Sequence, residues 1–123
     1  MIKELYQKVV AEQDIRKNLI EIKKVIKEEN EKRALLFAMG GDYSIFEKLL
    51  FHEDAKIRKN AALILGELGA ESVLGILYEA YERESQMFVK SSYLAAMSHY
   101  DYGEYIEKLK DRLHELTELE GTY

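Results

Sequence analysis

Residues 56–70 read KIRKNAALILGELGA. From Ala61 to Leu65 five apolar side chains follow one another without a break. A surface helix shows one apolar stripe, whereas a helix that is apolar nearly all round must be packed nearly all round. Small residues at Ala61, Ala62 and Gly66 let neighbouring helices approach closely, and Gly69 lets the chain reverse. A stack of helical hairpins supplies such an environment, because a middle helix touches its own partner and both adjacent hairpins.

The rest of the chain agrees with a helical reading. Its 123 residues contain no proline and only seven glycines, and proline costs about 3 kcal/mol inside a helix. No run of alternating β-branched residues and no Asn-Gly turn marks a strand. Breakers and apolar spacing predict about eight helices, at 2–12, 14–29, 31–39, 43–51, 54–68, 71–83, 86–99 and 102–120. Asp14, Asp42 and Asp54 stand at helix starts as N-caps. Gly40-Gly41, Gly69 and Gly121 stand at helix ends. The second helix carries the stripe Ile15, Leu19, Ile22, Ile26, and the last carries Ile106, Leu109, Leu113, Leu116.

Internal repetition organises these helices. Moved forward by 32 residues, the segment 57–66 falls on 89–98, so that Arg58 meets Lys90 and Ala61 meets Tyr93. Moved back by 26, Leu65-Gly66 meets Met39-Gly40. A further echo, Ile15-Arg16-Lys17-Asn18 against Ile57-Arg58-Lys59-Asn60, is identical but 42 residues away. It is out of step with the other repeats, so it reads either as a weak fourth copy or as a coincidence.

The motif Asp54-x-x-Ile57-Arg58-x-x-Ala61-Ala62-x-x-Leu65-Gly66-x-Leu68-Gly69 resembles HEAT-repeat proteins, in particular short bacterial HEAT-like, armadillo-type repeats. The resemblance spans residues 31–118, with a spacing shorter than the common HEAT unit. It implies an all-α, right-handed α-α superhelix, a solenoid of about four hairpins. Residues 1–30 would form capping helices or a degenerate repeat. Residues 31–123 would form the repeats and a C-terminal capping helix, in one continuous domain.

Chemistry-bearing motifs are sparse. There is no cysteine, which excludes disulfides, thiolate metal sites and cysteine nucleophiles. The pairs His52-Glu53 and His114-Glu115 invite a metal reading, since HEAT-like iron hydroxylases carry His-Glu ligands early in each repeat. The matching positions here are Lys59-Asn60 and Ser91-Ser92, and a metal needs several ligands that converge. Ser91 and Ser92 have no histidine or acid at a spacing that suggests a triad. Gly40-Gly41-Asp42 is too short for a phosphate loop. The expectation is a protein without enzymatic activity, cofactor or metal. No apolar run reaches the roughly 20 residues of a membrane span. No secretory leader opens the sequence at Met1–Ile2–Lys3–Glu4, so the expected setting is cytoplasmic.

Charge and aromatic residues then define candidate surfaces. The net charge is −5, but it is uneven: residues 1–33 carry a small positive excess and the remainder is acidic. In a HEAT solenoid the second helix of each hairpin lines the concave side. Its outward positions here are Glu47, then Gly75, Tyr78, Glu79 and Glu82, then Glu107, Lys110 and Asp111, five carboxylates against one lysine. Such an acidic, partly aromatic groove would attract a basic peptide or protein face. Among nine tyrosines, Tyr81, Tyr93 and Tyr105 are expected in the core, and Tyr78 and Tyr102 outside it. Arg58 and Lys90 are expected to bond an acid or carbonyl of the neighbouring turn, such as that around Asp54. Lys23, Lys24 and Lys27 form an alternative basic patch, or a solvated helix face with pairs such as Lys24–Glu28.

The functional expectation is a non-catalytic scaffold that docks a protein or peptide partner. The alternatives are an N-terminal domain that positions substrate for a larger enzyme, for example one acting on RNA, and a homodimerisation module. Nucleic acid is disfavoured by the acidic repeat region, and no membrane partner is expected.

Overall fold

A computed structural model describes residues 1–100. Among them it is all-helical. The helices are α1 (Ile2–Val10), α2 (Ile15–Val25), α3 (Glu29–Met39), α4 (Ser44–Leu49), α5 (Ala55–Leu68), α6 (Leu74–Arg83) and α7 (Met87–Met97). A 3₁₀ turn at Glu71–Val73 leads into α6, so the sixth helix starts three residues later than its apolar pattern predicts. The expected eighth helix, with Tyr102, Tyr105, Ile106, Glu107, Asp111, Leu113 and Gly121, lies outside the described residues.

Local chemistry sets the helix ends. Asp54 Oδ1 accepts the backbone N–H groups of Lys56 at 2.8 Å and Ile57 at 3.4 Å, satisfying donors that the first turn leaves free. Asp42 Oδ1 accepts the Ser44 N–H at 2.9 Å ahead of α4. Gly40 and Gly69 end α3 and α5 in the left-handed conformation, with φ of +61° and +68°. Asp14 is a correction: it precedes α2, but its side chain makes no cap bond and its own backbone is left-handed.

One core runs through the described chain, from Ile2 and Val9 to Ala96, Met97 and Tyr100. α5 is at its centre. Ile57, Asn60, Ala61, Ala62, Ile64, Leu65, Gly66 and Leu68 are all buried, and Lys56 is the one fully exposed side chain of that helix. α5 packs against α2, α4 and α7, while α1 packs on α2 and α6 on α7. At Gly66 α5 and α7 approach closely. A Cβ placed there would lie 2.6 Å from Ala96 Cα and 2.8 Å from Ala96 Cβ, so only glycine permits the approach.

α3 corrects the predicted register. The 26-residue step put the segment 31–40 beside α5 as an equivalent helix. α3 instead has its main contact with α1, and the helix against α5 is α2. The 42-residue echo is therefore the one that matches neighbouring helices. Asn18, Asn60 and Ser92, at corresponding positions of α2, α5 and α7, are each buried. Each side chain donates to a carbonyl four or five residues back: Asn18 to Gln13 at 2.8 Å, Asn60 to Lys56 at 2.9 Å and Ser92 to Phe88 at 3.1 Å.

Candidate interaction surfaces

The densest polar constellation is a buried clasp where the α4–α5 turn meets the α6–α7 turn. Arg58 Nε donates to Glu84 Oε1 at 2.8 Å and Nη2 donates to Oε2 at 2.9 Å, a two-pronged ion pair. Nη1 donates to the carbonyls of His52 at 2.8 Å and Glu53 at 3.0 Å. The Tyr93 hydroxyl shares its proton between the Leu50 carbonyl at 3.1 Å and Glu84 Oε1 at 3.3 Å. The Gln86 N–H donates to Glu84 Oε2 at 3.1 Å. Only 2% of the Glu84 side chain is exposed. Burial opposes its charge, but the bonds from Arg58 and Gln86, the guanidinium charge and the Tyr93 hydroxyl outweigh it, leaving the carboxyl below the ordinary glutamate range. Burial first, and the Glu84 carboxylate second, push the Tyr93 phenol far up.

A cleft of about 290 Å³ opens above this clasp, between Phe51, His52, Arg83 and Ser85. Its buried cation is already committed to Glu84, so the clasp joins two turns and is not an anion site. His52 is likewise engaged locally, its Nδ1 accepting the Asp54 N–H at 3.0 Å. Among the described residues no group of three or more His, Asp and Glu side chains converges as a metal would need. His114 lies outside them.

Arg58 thus finds the neighbouring-turn carbonyls, but its acid is Glu84 and not Asp54. Asp54 faces Arg16 of α2 instead, at a loose 3.8 Å. Lys90 departs from the expectation: its ammonium sits over the Tyr81 ring, 5.2 Å from the centroid.

The predicted acidic face is only partly free. Glu79 is exposed and held by Arg83 at 2.9 Å, one turn along α6. Glu47 and Glu82 are half-buried, and Glu82 is engaged by a neighbour. Tyr78 corrects the expectation of an exposed ring, because it is half-buried and packs against the core. Tyr81 and Tyr93 are buried, as the helical spacing predicts. Glu107 and Asp111 lie outside the described residues. An apolar groove of about 310 Å³ lies elsewhere, between Val9 and Val10 of α1, Ile15, and Ile45 and Leu49 of α4.

The basic face is more concentrated than the sequence suggests. Lys23 and Lys27 extend the end of α2, and Lys59 of α5 joins them. The Lys23 ammonium donates to Asn60 Oδ1 at 3.0 Å. Partial burial, then repulsion from Lys59, Lys27 and Lys24, lowers its pKa. Lys24 pairs loosely with Glu21 at 3.8 Å, not with Glu28. Sequence reasoning missed Glu84 and Lys59. Glu84 stands in a turn where no periodicity marks it. Lys59 was marked only by the 42-residue echo that brings α2 and α5 together.

No family model, curated protein or solved structure matches the chain. No described helix is long and apolar enough to cross a membrane.

Proposed function

We propose that this chain is a non-catalytic protein-interaction module, built as a right-handed HEAT-like stack of helical hairpins, that docks a basic peptide or protein segment. The observation that carries the proposal is the succession α2, α5, α7. These helices pack one on the next, bury an amide or hydroxyl at the same position, and in two cases send an arginine to an acid ahead of the next helix. Such a support is stiff, so a partner docks with little ordering cost. The docking face in this reading is acidic, with Glu47, Glu79 and Glu82 and, from the sequence, Glu107 and Asp111.

A display library of random peptides selected on the purified chain tests the reading. The expected result is enrichment of Lys/Arg-rich peptides that the Glu79→Lys/Glu82→Lys variant no longer retains. Enrichment unaffected by that charge reversal, or no enrichment at all, would contradict the acidic docking face.

A further inference from the structure

The lysine cluster on α2 and α5 requires a reason of its own. Lys23, Lys27 and Lys59 take part in no ion pair among the described residues. Lys23 is half-buried among like charges, with the neutral Asn60 carbonyl oxygen as its acceptor. Lys23 and Lys24 lie in the last turn of α2, where cations suit the helix dipole. Lys59 gains no such benefit, because it stands on the second turn of α5, near its positive end. The fold therefore brings a fourth cation to three others at a cost in repulsion.

We infer that this cluster is a contact site for the phosphate backbone of nucleic acid. Lys23 stands in the last turn of α2 and Lys27 in the turn just past its end. Lys59 stands beside them across the α2–α5 contact, so the ammonium groups form a compact set of point charges. Phosphate oxygens ask for charge and for little else. The surroundings disfavour the other anionic partners. Every fully exposed side chain of α2 is polar: Arg16, Lys17, Glu21 and Lys24. A helix is held most firmly on a lipid surface where apolar side chains insert beside its charges, and α2 exposes none fully. An acidic protein would need an aromatic or aliphatic anchor at the centre of the contact. Of the acidic side chains next to α2, Glu21 is spent on Lys24 and Glu29 on Lys32 and Arg33, Asp14 and Asp54 stand by its first turn, away from the lysines, and Glu28 follows its end. This site is distinct from the acidic face of α4 and α6, so each can fail without the other.

The test is fluorescence anisotropy of a short labelled single-stranded RNA with the full chain, across a series of salt concentrations. Four lysine contacts predict binding that weakens with salt at a log–log slope of about −2 to −3. Lys27→Glu/Lys59→Glu is expected to weaken binding about tenfold or more and to flatten the slope by about 1.4. Lys3→Glu/Lys8→Glu on α1 makes the same change in net charge and is expected to leave the slope nearly unchanged. Lys27→Gln/Lys59→Gln repeats the measurement without reversing charge, should the Glu variant fail to fold. Absence of binding at about 50 mM salt, or equal losses from the α1 and α2–α5 pairs, would overturn the inference. So would displacement of the RNA by poly-glutamate at equal charge concentration, which would assign the patch to acidic protein surfaces.

Discussion

Arg58 shows how much one side chain can hold. Four of its five N–H donors are used, two on Glu84 and two on backbone carbonyls. Removing it leaves Glu84 charged, buried and short of its fork. We expect Arg58→Met to cost about 3–5 kcal/mol, a large share of the roughly 5–15 kcal/mol that keeps a domain folded. Arg58→Lys should recover little, because one ammonium cannot span both carboxylate oxygens and both carbonyls. Arg58→Met/Glu84→Gln should be more stable than Arg58→Met alone, since it removes the orphaned charge; a denaturant melt in which the double variant is no better would contradict the clasp. The same pair sets an acid limit. The Glu84 carboxyl titrates lower when folded than when unfolded, so the unfolded chain binds the extra proton. Its contribution is whole above the ordinary glutamate value of about 4.3 and is lost as pH falls through the folded value. Glu84→Gln should flatten that acid-side loss of melting temperature. The arginine was legible in the sequence as a bonding position. Its acid was not, because a turn residue 26 positions away carries no periodic signal.

At the scale of one helix, α5 answers the demand that its sequence makes. Five consecutive apolar residues, two of them small, and a glycine are read directly as a helix enclosed by others, and its caps, Asp54 and Gly69, stand where expected. Gly66 is the sharpest case. Alanine there would gain about 1 kcal/mol of helix propensity, but its Cβ would meet Ala96 backbone at 2.6 Å. Overpacking of that kind costs about 1–3 kcal/mol, so Gly66→Ala should destabilise on balance. Adding Ala96→Gly should not restore stability, because the obstructing Cα and carbonyl remain. Full rescue in a thermal melt would mean that α5 and α7 do not approach so closely. α3 shows the limit of element-level reading. Only its second half is apolar, and periodicity alone does not say which neighbour covers Leu35 and Met39. The 26-residue step points from α5 to α3 and the 42-residue echo to α2, and packing follows the echo.

At the scale of the molecule, the all-helical character of the described residues follows from the missing prolines, the glycine stops and the apolar spacing. The order of packing does not, because several helices offer interchangeable apolar faces and only long-range geometry selects among them. The candidate surfaces divide the same way. Lys23, Lys24 and Lys27 are neighbours in sequence and could be read together, whereas Lys59 joins them only through the α2–α5 contact. Tyr78 was placed outside by helical phase alone and is drawn inward by packing. The protein-docking proposal rests on the succession α2, α5, α7 and the nucleic-acid proposal on its α2–α5 contact, and methyl-resolved NOE spectroscopy on the full chain measures that succession directly. The account predicts cross-peaks between the Gly66 Hα protons and the Ala96 methyl, and between the Leu19 and Ile22 methyls and those of α5. Cross-peaks from α5 to Leu35 and Leu36 of α3 in place of α2 would contradict it.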